Sequence, residues 1–188
     1  MRNIDTQILA EDDAGIAAAV EILGSGGLVS FATETVYGLG ADATNDKAVA
    51  RIFEAKGRPQ FNPLIAHVAD IAMAKEFVEW TEEAEKLAEF FWPGPMSMVL
   101  PLKKNSGISP LVTAGHSSLA IRLPAHTVAQ QMLTKLGKPV AAPSANISGK
   151  ISPTTAAHVL ADLDGKIEAV LDGGKCDVGL ESTIIGLI

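Results

Sequence analysis

The chain has 188 residues, 47% of them hydrophobic and 20% charged, with a formal net charge of −7. That mix fits one globular domain that needs no staples, and the negative charge argues against broad binding to nucleic acid or membrane surfaces. With Cys176 as the one cysteine no internal disulfide forms, which fits a reducing cytoplasm; no run reaches the ~18 apolar residues of a membrane span, and no secretory signal pattern opens the chain.

Asp12 or Asp13 caps a first helix running to Leu23, with Ile16, Ala19, Val20 and Leu23 on its apolar face. Gly26-Gly27 turn into a strand over Leu28 to Phe31. Tyr37-Gly38-Leu39-Gly40 reads as a glycine-punctuated loop. Asp46 then caps a second helix whose apolar stripe is Val49, Ile52, Phe53 and Lys56, ended by Lys56-Gly57-Arg58 and kept from continuing by Pro59 and Pro63. Leu64 to Val68 is a strand, and Asp70 to Val78 a short helix. Thr81 caps the next helix, which stops before Trp92-Pro93-Gly94-Pro95.

Strands follow over Ser97 to Leu102 and Ser118 to Leu123, with a polar loop from Lys103 to Ser117 between them. His126 to Leu136 is helical, closed by Gly137. Pro139 to Ala142 is a short strand running into Pro143-Ser144-Ala145-Asn146. Ser152-Pro153 starts another helix, with Ser152 as its cap, to about Leu163. Glu168 to Leu171 and Ser182 to Leu187 are the last strands. Strands and helices interleave, so the class is α/β, as a single domain over residues 1–188 with a twisted mixed sheet.

The phosphate loop G-x-x-x-x-G-K-[ST], the third glycine of a dinucleotide fingerprint and the G-x-S-x-G elbow are all missing. The four histidines, at 67, 116, 126 and 158, show no metal-ligand spacing. Four places remain where chemistry can sit, each with a plain structural reading beside it. Lys56 and Arg58 are a cationic helix end or an anion site; Lys56 continues the apolar stripe, so it snorkels or meets an anion. Ser144 and Asn146 are a strand-to-loop turn or the wall of a site beyond a strand end. Ser152 is a plain helix cap or part of an anion-binding helix start. Arg122, within SLAIRL, points to solvent or holds a carboxylate. His67 in LIAHV reads as a structural histidine, and Cys176 as a bystander.

The segments TETVYGLG, IFEAKGRPQFNPLIAHV, WPGPMSMVL, LAIRLPAH, PVAAPSANISG, SPT and ESTI resemble those of the YrdC-type threonylcarbamoyl-AMP synthases, in the same order and over nearly the whole chain. The resemblance implies a single α/β domain with a large, concave, positively lined cavity. It implies that L-threonine, bicarbonate and ATP, with Mg²⁺, condense to threonylcarbamoyl-AMP and pyrophosphate. A transferase complex then moves the threonylcarbamoyl group to the adenosine beside the anticodon of tRNA.

Carried over by position, Lys56, Arg58, Ser144 and Asn146 fall at the ATP phosphates, with Lys56 and Arg58 catalytic. Asn62, Ser118 and Ser152 fall at further nucleotide contacts. Thr35, His67, Arg122 and Ser182 surround threonine, with the backbone of Ala142 nearby. Ala32 departs from the family's proline. The sequence ends at Ile188, where many members continue with an Arg-Pro-Gly segment over ATP and some add a domain. A short member or a truncated chain is expected, with weakened nucleotide binding. Two alternatives stay open: a carbamoyl-adenylating domain of the hydrogenase-maturation type, and a module that docks weakly on tRNA or double-stranded RNA, against which the net charge and scarce aromatics argue.

Overall fold

The computed structural model describes residues 4–188. The elements run β1 (Gln7–Leu9), α1 (Asp13–Gly24), β2 (Val29–Phe31), β3 (Gly38–Asp42), α2 (Asp46–Lys56), β4 (Ile65–His67), α3 (Ile71–Phe77) and α4 (Glu82–Phe91). Then come β5 (Met96–Pro101), α5 (Pro110–Thr113), β6 (Ser118–Arg122), α6 (Thr127–Leu136), β7 (Val140–Ala141), α7 (Ala156–Leu163), β8 (Ala169–Leu171) and β9 (Thr183–Gly186).

The strands form one sheet in the order β1-β8-β2-β3-β7-β4-β6-β5-β9. It is mixed, as the irregular interleaving predicts. β8 lies parallel to β1 and β2, β4 to β6, and β5 to β9. The pairs β2–β3, β3–β7, β4–β7 and β5–β6 are antiparallel.

Strand side chains alternate between faces, so one sheet feeds two cores. On one face Val29 and Phe31 of β2 and Ala169 and Leu171 of β8 pack with Ile16 and Leu23 of α1 and Met132 and Leu133 of α6. On the other, Leu39 and Ala41 of β3 and Val170 of β8 meet Val49, Ile52 and Phe53 of α2, together with Ala84 and Ala88 of α4 and Val159 and Leu163 of α7.

Helix ends follow the local chemistry with two corrections. Asp12 caps α1, accepting from the Gly15 N–H at 2.8 Å. α2 is capped by Asn45 rather than Asp46; its side-chain oxygen accepts from Lys47 and Ala48 N–H at 3.1 and 3.2 Å. Gly57 ends α2 in the left-handed region at φ 60°. α7 starts at Ala156 with Thr155 as cap, not at Ser152-Pro153. Pro153 is instead held in an extended segment, its carbonyl accepting from the Tyr37 N–H at 2.9 Å.

Three further differences stand out. β1 has no counterpart in the sequence reading. The expected loop from Lys103 to Ser117 contains the single turn α5. Gly38 and Gly40 are not loop residues but lie inside β3, where glycine lets neighbours approach. A Cβ at Gly40 would stand 2.8 Å from Val140 Cγ1 and 2.9 Å from Phe31 Cε1. Gly40→Ala therefore overpacks the sheet and is expected to cost about 1–3 kcal/mol in urea unfolding; an unchanged midpoint would contradict this close approach.

Candidate functional site

Lys56 is the last residue of α2 and is 1% exposed. It completes the apolar stripe, so the helix carries its ammonium into the protein. There Nζ donates to the backbone carbonyls of Ser144 and Asn146. An ammonium has three donors, so one is left over. Among the described residues no carboxylate makes an ion pair with it. Burial pulls its pKa down to about 8, with the Arg58 charge adding to the shift and Asp162 and Glu181 opposing it.

The Ser144–Lys150 loop follows the end of β7. Ala145 N–H donates to Tyr37 O at 2.8 Å, and Ser148 N–H to Lys56 O at 2.9 Å. Asn146 is 5% exposed. Its Nδ2 donates to the Ile147 and Lys150 carbonyls at 2.9 and 2.8 Å, while its Oδ1 is buried without a partner. Such an orphan costs about 1–3 kcal/mol and points to a ligand.

Arg58 follows the left-handed Gly57 and is half-buried. It donates from Nε to Asn62 O at 3.4 Å and from Nη2 to Pro63 O at 3.1 Å. Asn62 thus meets Arg58 through its backbone. Burial pushes the Arg58 pKa down. Ser152, not being a helix cap, donates its hydroxyl to Glu181 at 2.7 Å.

Arg122 ends β6 and is 3% exposed, so it does not point to solvent. Nε donates to Gly94 O at 3.2 Å, Nη1 to Thr35 Oγ1 at 3.0 Å, and Nη2 to Glu34 Oε1 at 2.5 Å. The other Glu34 oxygen accepts from Ala125 N–H at 3.0 Å. Thr35 is fixed in turn by Thr33, whose hydroxyl lies 2.8 Å from its own. His67 is the register partner of Arg122 across β4 and β6, which sets both side chains on one face. Burial, helped by the Arg122 charge, pulls the His67 pKa down to about 3.

Ala142 donates its N–H to Ile65 O at 2.9 Å, beside β4. Ser182 sits just before β9, its hydroxyl 2.8 Å from that of buried Ser97. Ser118 stands at the far end of β6 from Arg122, roughly 13 Å along the strand. Backbone bonds tie the rest together: Val178 and Gly179 N–H donate to Glu34 and Thr35 carbonyls at 2.9 and 3.0 Å. The Lys56 and Arg122 groups thus share the Thr33–Tyr37 segment as a common wall.

A cavity of about 570 Å³ meets this set only at Lys56, and is otherwise lined by Arg51, Glu54, Ile147, Lys166 and Glu168 among others. Its charges are of both signs. Two residues of this neighbourhood had no role in the sequence reading. Glu34 stood only as an unassigned residue of the segment TETVYGLG. Asp162, which grips the Ser144–Lys150 loop from α7, sits in an ordinary helical stretch with no local signal.

These features define a mixed-sheet α/β protein that buries two cations at strand and helix ends, one neutralised by a carboxylate and one not. The sequence model of the Sua5/YciO/YrdC family, described as "Telomere recombination", matches residues 21–188, and the chain belongs to that family. It is 49% identical over 181 residues to a threonylcarbamoyl-AMP synthase of Bacillus subtilis, covering 96% of this chain and 52% of the relative. It is 51% identical over 176 residues to one of Pyrococcus abyssi, covering 92% and 50%. The crystal structure of Pyrococcus abyssi Sua5 complexed with L-threonine superposes with a TM-score of 0.92 at 48% identity, covering 97% of this chain and 54% of that one. The chain spans about half the length of these relatives.

His67 has a consequence for stability. It stays neutral in the fold down to about pH 3, whereas an unfolded histidine takes a proton below about 6.5. Between those values the unfolded state holds more protons, so stability falls as pH falls, by at most roughly 1.4 kcal/mol per unit. The drop in Tm from pH 7 to pH 5 is expected to be smaller in His67→Gln than in the wild type; equal drops would contradict the buried neutral imidazole.

Proposed function

We propose that this chain makes threonylcarbamoyl-AMP from L-threonine, bicarbonate and ATP. The observation that carries the reading is Lys56: a buried ammonium on two carbonyls, with no carboxylate paired to it and one donor to spare. A buried charge that no carboxylate pairs suits an anion supplied from outside. The relatives' names and the threonine complex of the Pyrococcus protein support which anions these are.

In this reading Lys56 and Arg58 stabilise charge on the ATP phosphates as it moves toward the leaving pyrophosphate. Ser144 and Asn146 stand with them at the phosphates, and Asn62, Ser118 and Ser152 hold the rest of the nucleotide. Mg²⁺ accompanying ATP would be held by the phosphate oxygens and would offset their charge. Asn146 Oδ1 is a neutral amide oxygen on the residue whose carbonyl holds the Lys56 ammonium, and among the described residues no group of carboxylates, histidines or cysteines is placed to hold a metal.

Arg122 has five N–H groups, of which three are used within the protein. The two remaining receive the threonine carboxylate. Thr35, neutral His67, Ser182 and the Ala142 backbone shape the rest of that pocket, and neutral His67 adds no second positive charge. The threonine ammonium gives a proton to bicarbonate, which breaks down to CO₂ and water, and the free amine attacks that CO₂ to form a carbamate with release of one further proton. A carbamate oxygen then bonds to the α-phosphorus as the bond to pyrophosphate breaks. The protein's work is positioning and charge stabilisation. The product would pass, in the cytoplasm, to a transferase complex that modifies tRNA.

Pyrophosphate release by the purified chain, with ATP, Mg²⁺ and bicarbonate, is expected to depend on L-threonine and to yield the threonylcarbamoyl-AMP mass. Release without threonine would support carbamoyl adenylation instead. Lys56→Ala is expected to lower the rate about 10²-fold or more while circular dichroism stays unchanged. Full activity in that variant would remove Lys56 from the mechanism.

A further inference from the structure

We propose that Asp162, on the last turn of α7, is a positioning residue for Lys56, acting through the peptide that joins Asn146 to Ile147. The inference rests on the ATP reading above for its catalytic meaning, though not for its physical content. Asp162 Oδ2 accepts from Ile147 N–H at 3.1 Å, and Oδ1 from Lys150 Nζ at 2.6 Å. One carboxylate therefore grips the Ser144–Lys150 loop at two points. The Ile147 amide it holds belongs to the same peptide unit as the Asn146 carbonyl, one of the two that receive the Lys56 ammonium. Peptide planarity passes the constraint directly: fixing the N–H direction fixes the C=O direction.

Packing backs the loop on one side only. Buried Ala145 and partly buried Ile147 meet the core there, while Lys56 and Ile147 line the cavity of about 570 Å³ on the other. The Asn146 side chain ties only within the loop, to Ile147 and Lys150. Besides the Lys56 ammonium on the Ser144 and Asn146 carbonyls, outside contact comes from the Ser144 bridge to Gly38, the Ala145 bond to Tyr37, the Ser148 bond to the Lys56 carbonyl, and Asp162. Asp162 is itself steadied, its side chain 12% exposed and its carbonyl accepting from Lys166 Nζ at 2.9 Å.

The carboxylate also acts through space. The charges acting on Lys56 are Arg58 just beyond its own helix, Asp162 from α7 and Glu181 from the segment before β9, while Arg51, Glu54, Lys166 and Glu168 share its cavity. Arg51 is paired with Glu168 at 2.5 Å. Asp162 and Glu181 are the two that favour the charged ammonium. Removing the Asp162 charge makes Lys56 lose its proton at lower pH, where it no longer offsets phosphate charge.

The test is Asp162→Asn, read in two ways. Nitrogen-15 NMR of lysine-labelled, substrate-free protein is expected to show the Lys56 midpoint falling by about half a pH unit or more. Steady-state kinetics are expected to show KM for ATP rising roughly tenfold, KM for threonine unchanged, and the alkaline limb moving to lower pH. A purely structural role would lower Tm and leave the NMR midpoint and the pH limb in place, which overturns the proposal. If Asp162→Asn does not fold, Asp162→Glu keeps the charge and moves it by one methylene. It is expected to hold the midpoint while raising KM for ATP, and an unchanged KM would overturn the positioning claim. A wild-type chain that binds no ATP would defeat the ATP reading alone; the NMR midpoint then decides the role of Asp162 by itself.

Discussion

The structure depends on keeping two cations out of water. An isolated buried ammonium or guanidinium costs several kcal/mol unless something nearby offsets it. The two cases are solved differently. Arg122 has a carboxylate, Glu34, and further acceptors in Thr35 and the Gly94 carbonyl, so the group is close to neutral and self-contained. Lys56 hydrogen-bonds to backbone carbonyls alone, and Asp162 and Glu181, which favour its charge, make no ion pair with it. A neutralised arginine suits a zwitterionic amino acid. An ammonium with charge left over suits a polyanion. The asymmetry between the two groups follows from which segments reach them.

Those segments are placed by the mixed sheet. β7, two residues long, lies between β3 and β4, antiparallel to both, and releases its chain into the Ser144–Lys150 loop beside the end of α2. β4 and β6 run parallel in register, so His67 and Arg122 emerge together. The glycines of β3 let Phe31 and Val140 close over it, which keeps the sheet tight behind the site. A regular parallel sheet would put its ligands at one crevice between helices. Here the antiparallel insertions bring a helix C-terminus, a strand end and two loops to one wall.

The fold class and most elements were legible because their periodicity is strong. Lys56 was the clearest functional signal, since a lysine on an apolar stripe contradicts the pattern around it. Arg122 was ambiguous: a residue within a strand is assigned to a face only when the partner strands are known. Tyr37-Gly38-Leu39-Gly40 misled because glycine marks both turns and close approach, and only the neighbours Val140 and Phe31 decide which. Ser152-Pro153 looked like a helix start, but Thr155 offered a cap three residues on, and the Pro153 carbonyl is taken by Tyr37. Glu34 and Asp162 act on partners 88 and 15 residues away, a separation that no local window spans.

The central claim is that the two buried cations receive two different anions. Isothermal titration of ATP–Mg²⁺ and of L-threonine, each into the wild type, Lys56→Ala and Arg122→Lys, tests it most directly. The account predicts a crossed pattern. Lys56→Ala loses ATP affinity and keeps threonine affinity, and Arg122→Lys, lacking the planar fork, does the reverse. If both variants bind both substrates like the wild type, the cations serve the fold and not the substrates; if each loses the other's ligand, the two assignments are reversed. Either result contradicts the account.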